Sequence, residues 1–303
     1  MKNTDIGEYL WEQPIHEVKD VDAALWRYQE TCLDRLDKFS LPRDIVNLMD
    51  IYIKKHDILN TKIALRGAIT DETTAMAPLG TIYRQGRLDE LSRAESIQEI
   101  CDTLVKSSLS EYIVILEAIK DMDQRSLIEG EVGLDNRYNH FLMESLSSMD
   151  DGEIMTKALG IIIDTTNLQI LFRAVLGQRT ATLGDLFLSG GHMLSENMLR
   201  EFLSLKPSDI VARLESTEYH LMAQDMVKAH EKEGVITTVD RTIDRHKYRF
   251  LRDLLSPRVL SPCNLLWYLL LKELEVRNVR LLLKTLMDGI SPSEIREYLV
   301  ILS

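Results

Sequence analysis

Few stretches of the chain bring together groups that could do chemistry. "MDDGE" (Met149 to Glu153) offers two adjacent carboxylates, a donor set that could hold Mg²⁺ in an all-helical enzyme acting on an isoprenoid-type substrate. That chemistry wants a further Asp three residues on, where Ile154 stands. "KDMDQR" (Lys120 to Arg125) is likewise a lone pair of acids, as a solvated helix end would be. His140 and Glu144 stand four residues apart and could be two metal ligands, but no third ligand lies near them in the sequence. "GQRTATLGD" (Gly177 to Asp185) has two glycines but lacks the Gly-Lys-Ser/Thr ending with which a phosphate-binding loop cradles its ligand. No Gly-x-Ser-x-Gly nucleophile motif occurs. The expectation is a chain with no catalytic, cofactor-binding or metal-binding residue. The Mg²⁺-dependent enzyme and a generic helical scaffold stand as alternatives.

Bulk properties narrow the class. Over 303 residues, 45% hydrophobic content with only 14 Gly and 7 Pro describes a compact globular protein. A net charge of −12 repels phosphate backbones, which argues against a nucleic-acid partner. The N-terminal stretch has no apolar core of signal-peptide length. The clearest apolar runs, "LGIII" and "LLWYLLL", fall short of the roughly 18–20 residues that span a bilayer. A soluble, non-exported chain is expected, touching a membrane only through partners. Cys32, Cys101 and Cys263 lie far apart without a Cys-x-x-Cys pair, the pattern of core-filling thiols in a reducing compartment.

The elements that must carry these residues read as helices. Apolar residues recur at helical spacing in "DIVNLMDIYIKKHDILNTKIALRGAI", "IMTKALGIIIDTTNLQILFRAVL" and "NLLWYLLLKELEVRNVRLLLKTLM". "GVITTV" is the best strand-like fragment, and one isolated fragment makes no sheet. Ser40 and Pro42 precede one long helix, and Ser261 and Pro262 another. Ser291 to Glu294 reads as an N-cap with an acidic first turn. The predicted fold class is all-α.

One oddity recurs in these helices. "DILNTKIALR", "DTTNLQILFR" and "EVRNVRLLLK" each place an Asn inside an apolar helix, where its side chain competes for backbone hydrogen bonds. Each has an acid three residues before the Asn and a cation six after it: Asp57, Asn60 and Arg66; Asp164, Asn167 and Arg173; Glu275, Asn278 and Lys284. Long polar residues (Lys62, Gln169, Arg280) follow each Asn by two. The three Asn positions are 107 and 111 residues apart. Asp22, Asp135 and Asp244 open a fainter shared frame, each followed by an aromatic residue at +6 and Leu at +11. "LGTIYRQGRLDEL" and "LGDLFLSGGHMLSENML" match as a turn followed by a new helix. A triplication with a period near 110 residues is predicted, with copies at 1–110, 111–220 and 221–303.

On each helix the acid and Asn lead a stripe on one face: Asp57, Asn60, Ala64, Gly67; Asp164, Asn167, Leu171, Ala174; Glu275, Asn278, Leu282, Thr285. Two readings are open. The Asn residues satisfy backbone groups within the fold, or the three copies line one shared opening and touch a partner there.

The third copy, "LLWYLLLKELEVRNVRLLLKTLMDGISPSEIREYLV", resembles the C-terminal part of the central-stalk component of rotary V-type and archaeal A-type ATPases, known as the C subunit in archaeal and bacterial complexes and the d subunit in eukaryotes. The acid, Asn and basic residues of this helix carry the likeness, followed by a short linker and a helix beginning Ser/Pro-x-Glu-Ile-Arg, here Pro-Ser-Glu-Ile-Arg. "IIIDTTNLQILFRAVL" and "IYIKKHDILNTKIALRGAI" resemble the family's other two copies, so that the likeness runs from Asp22 to the end. It implies three similar helical domains arranged as a funnel, and a non-catalytic, cofactor-free job. That job is a rotor socket, monomeric within a hetero-oligomeric complex, between the shaft subunits of the soluble ATPase head and the membrane proteolipid ring, on the cytoplasmic face. In one respect the chain departs from the family: about twenty residues precede Asp22, where members usually have a longer helical stretch bearing Tyr and Arg.

Overall fold

A computed structural model describes residues 4–12, 14–70, 74–119, 121, 123–177, 186–291, 295–296 and 298–302. Among them every regular element is helical, and the all-α class predicted from periodicity is the observed one. The chain divides into two compact units: unit 1 holds Met1–Ile113 with Leu265–Val300, and unit 2 holds Val114–Asn264 with the last three residues.

Unit 1 begins with α1 (Asp5–Trp11), α2 (Val18–Asp37) and α3 (Arg43–Thr70). Glu17 and Asp20 form a reciprocal capping box that starts α2. Short helices follow: α4 (Thr81–Arg84), α5 (Leu88–Ser92) and α6 (Ile97–Lys106). The Ser96 side chain caps α6 by accepting from the Glu99 amide at 3.3 Å. Ile6 and Leu10 of α1 and Val21, Leu25, Tyr28 and Cys32 of α2 share a core with Val276. That last residue comes from α14 (Pro262–Met287), the chain's final long helix, placed in unit 1 from Leu265 onward.

Unit 2 runs through α7 (Ile113–Glu117), α8 (Gln124–Ser147), α9 (Gly152–Leu176), α10 (Glu196–Phe202), α11 (Pro207–Arg213), α12 (His220–Glu233) and α13 (Thr237–Leu255). Asp123, from the acid pair read as a helix end, caps α8 by accepting from the Ser126 amide at 2.7 Å. That bond holds its carboxyl below the usual range. "GVITTV" forms no strand. Gly234 ends α12 at φ +68, the left-handed conformation open to a residue without Cβ, and Thr237 opens α13. The core gathers Leu168, Leu171 and Phe172 of α9 with Met222 of α12 and Val239 and Ile243 of α13.

The apolar runs in the sequence understate α9. Its 25 residues include an 18-residue window of mean hydropathy 1.4, long and apolar enough by length and composition to cross a membrane. Polar Asp164 and Asn167 break it into short runs by eye. In the fold most of that window is buried inside unit 2, and a helix hydrophobic all round is what such a position requires. All three cysteines are free and buried. The Ser291 to Glu294 cap lies mostly outside the described residues, as does most of the Gly177 to Asp185 stretch.

Candidate functional site

The recurring Asn does the same thing on each of its three helices. Asn60 Nδ2 donates to the Ala77 carbonyl at 2.9 Å, while its Oδ1 accepts from the Ala77 amide at 2.8 Å. Asn167 grips Leu188 in the same two-way manner, at 2.8 Å in both directions. Asn278 grips Val300 at 2.9 and 3.2 Å. A carboxamide carries one donor and one acceptor side by side, so it pairs with a single backbone residue as a neighbouring strand would. The gripped residues lie 17, 21 and 22 positions downstream. Each clamp therefore ties the segment after a long helix back onto that helix.

The acids divide into two kinds. Asp57 accepts from the Thr81 and Ile82 amides, both at 2.9 Å, and so supplies the first turn of α4 with a cap from outside its own segment. Burial pushes the Asp57 carboxyl up to about 6, against the opposing pull of those two amides. Asp164 accepts from the Met193 amide at 2.7 Å, the Leu194 amide at 3.3 Å and the Tyr219 hydroxyl at 2.7 Å. Burial raises its pKa too, and burial together with Asp164 raises that of Tyr219. Glu275 turns elsewhere: it accepts from the Tyr28 hydroxyl at 2.7 Å and Lys272 Nζ at 2.8 Å, joining α14 to α2.

Two glycines are required by this geometry. A Cβ on Gly80, which sits at φ +98, would stand 2.4 Å from Asp57 Oδ1. One on Gly191 would stand 2.0 Å from Asp164 Oδ1. Both occur in the "turn then helix" stretches matched in the sequence, which is the signal that could have identified them beforehand. Tyr28 stands at +6 in the Asp22 frame, whereas Tyr219 had no such signal.

The residues following each Asn bridge helices. Gln169 Nε2 donates to Asp240 Oδ1 at 2.7 Å, and Arg173 pairs with the other oxygen of the same carboxylate. Arg280 pairs with Asp22. In both seams, α9 against α13 and α14 against α2, the residue at Asn+2 reaches an acid on the neighbouring helix. The acid in unit 2 is Asp240, one turn before the Asp244 of the sequence frame.

Of the two readings left open by the sequence, the Asn bonds describe the one in which each Asn satisfies backbone groups within the fold. Asp57, Asn60, Asp164 and Asn167 are each 0% exposed, and a side chain that is fully enclosed and bonded to its own loop contacts no partner. Asn278 and Glu275 are half-buried, whereas Arg66, Arg173 and Lys284 are exposed. Asp151 of the "MDDGE" stretch accepts from Arg258 at 3.1 Å. His140 and Glu144 stand 3.5 Å apart on the surface. Among the described residues no three His, Cys, Asp or Glu side chains are grouped to hold a metal ion.

The geometry defines an all-helical protein whose recurring Asp–Asn pairs serve its own loops. The family model for the ATP synthase (C/AC39) subunit matches residues 1–298, and the chain belongs to that family. The C subunit of the A-type ATP synthase of Methanocaldococcus jannaschii is 27% identical over 313 aligned residues, covering 99% of this chain and 77% of that one. Its counterpart from Methanosphaera stadtmanae is 25% identical over 98% of this chain and 77% of its own length. That of Pyrococcus furiosus is 23% identical over 98% and 80%. As a member of this family the chain is a structural, non-catalytic subunit of a rotary ATPase, with hetero-oligomeric partners in a membrane-associated complex.

Proposed function

We propose that the chain is the rotor adaptor of its complex, linking the shaft subunits of the soluble head to the membrane proteolipid ring. It would sit peripherally on the cytoplasmic face, one copy per complex, and transmit torque in either direction of the ATP reaction. The observation that carries this reading is the family match across residues 1–298. The clamps support it, because an element under torque needs its connecting segments tied to its long helices, and dense helical interiors transmit strain. The three-copy division at 1–110, 111–220 and 221–303, and the funnel it implies, belong to this proposal. So does a division of labour within the motif. The buried Asp57, Asn60, Asp164 and Asn167 hold loops, while the exposed cations Arg66, Arg173 and Lys284, with half-buried Glu275 and Asn278, are the motif positions open to a partner.

A tagged pull-down from native membranes in mild detergent, with co-purifying chains identified by mass, tests the role. Recovery of shaft subunits together with the proteolipid ring is expected. Reproducible recovery of the tagged chain alone, with the ATPase intact elsewhere in the preparation, would overturn it.

A further inference from the structure

Within unit 1 the space between α2, α3 and α14 is not filled. A cavity of about 270 Å³ opens there, walled by Trp26, Lys55, His56, Glu273, Arg277 and Arg280 among others. Three cationic side chains and one carboxylate line it, in a chain whose net charge is −12. Arg277 and Arg280 stand one turn apart on α14, on neighbouring positions of one helix face. Lys55 approaches from α3. The Arg280 guanidinium lies over the Trp26 ring at 5.1 Å, while its Nε pairs with Asp22.

Lys55 is the group that the protein alone leaves incomplete. Its Nζ is shielded from solvent and has no acceptor in hydrogen-bonding geometry. Glu273 is its ion-pair partner and the Tyr52 ring faces it at 3.9 Å, but the Tyr52 hydroxyl also donates to the same carboxylate oxygen. An ammonium has three N–H donors, and one shared oxygen does not satisfy them. Buried polar groups in folded proteins nearly always have their donors satisfied, and an ammonium with N–H donors to spare beside a cavity has room for a further acceptor. Burial also pulls the Lys55 ammonium well below its usual range, a shift that a second counter-charge in the cavity would reverse.

We propose that this cavity is an anion site for a compact phosphate group, held by Lys55 with the guanidinium edges of Arg277 and Arg280. Guanidinium forks match the geometry of a tetrahedral oxyanion, and an ammonium adds a point charge. The volume admits inorganic phosphate or a small phosphate ester. The site stands on unit 1 alone and does not depend on the adaptor role.

The test uses the full chain and inorganic phosphate, read by titration calorimetry and by the melting temperature in phosphate against chloride, with acetate as the monoanionic comparator. Glycerol phosphate in a parallel arm separates a free ion from an esterified one. The expected result is saturable one-to-one binding of phosphate. Lys55→Met and Arg277→Met should each weaken it by about tenfold or more, as loss of a charged hydrogen bond does. Lys284→Met, at an exposed position of α14 outside the cavity, should leave it unchanged. A phosphate-specific rise in the wild-type melting temperature reads the same binding without any variant. No saturable heat, equal weakening by Lys284→Met, or acetate binding as tight as phosphate would each overturn the proposal.

Discussion

Two seams of the molecule are built on the same rim and filled differently. Where α9 meets α13, Gln169 and Arg173 hold Asp240 at the rim, and the interior is apolar, with Phe172, Val239 and Ile243 closed on one another. Where α14 meets α2, Arg280 holds Asp22 at the rim, but Tyr28, Lys272 and Glu275 occupy the interior beside a small apolar patch around Val276. A recurring sequence motif thus dictates the rim contact, while the interior follows whatever the adjoining helices supply. The clamps show the same split. Asn keeps its role on all three helices, whereas the acid three residues earlier caps a loop on two of them and bridges helices on the third.

The largest effect should come from removing the room beside a buried acid. Gly191→Ala places a methyl group against Asp164 Oδ1 and should destabilise unit 2 by about 3 kcal/mol or more, read as a fall in the urea midpoint. A change under about 0.5 kcal/mol, the range of ordinary surface substitutions, would show that the loop yields freely and that the clamp is not rigid.

Next in size is the contrast between clamps. Asn167→Ala leaves the Leu188 amide and carbonyl without partners inside the fold and should cost about 2–3 kcal/mol. Asn278→Ala, at a half-buried site where water can reach Val300, should cost about 1 kcal/mol. Equal losses would erase the distinction between the enclosed clamps and the third one.

Titration distinguishes the caps in a similar way. By carboxyl NMR, Asp57 should titrate near pH 6 and Asp123 below the ordinary aspartate range of 3.8. For Asp57 the folded pKa lies above the unfolded one. Its contribution to stability is therefore fully present below about 3.8 and is lost as pH rises through about 6. Asp57 then costs unit 1 on the order of 2–3 kcal/mol at neutral pH relative to its protonated form. An Asp57 midpoint at or below that of Asp123 would show that the backbone amides outweigh burial.

The smallest effect belongs to the rim. Arg173 is half-exposed, so Arg173→Met should change stability by no more than about 0.5–1 kcal/mol. A larger loss would mean that the rim pair, not the apolar interior, holds α9 to α13.

Much of the helical fold was legible because α3, α9 and α14 keep a helical period over more than twenty residues each. What each Asn grips was not legible. Ala77, Leu188 and Val300 are ordinary aliphatic residues with nothing to set them apart from their neighbours, since the clamp uses only their backbone groups, and the loops between differ in length. The enclosure of Asn60 and Asn167 stayed one of two open readings for a related reason: an Asn in an apolar stripe reads alike whether a loop or a partner covers it. The cavity beside Lys55 depends on side chains from three helices distant in sequence, so no local pattern announces it.

The division of unit 1 into two separated stretches has a consequence for how the protein is made. Unit 2 is a nearly continuous run that, but for the last three residues, has left the ribosome once Asn264 has emerged. The α2 surface of Val21, Leu25 and Tyr28, although synthesised first, has no α14 to close against until Val276 and its neighbours follow. The earliest part of the chain is therefore the last to be sealed. For most of translation it presents a greasy helix face to the cell, and a chaperone holding nascent chains would find its longest-lived target there.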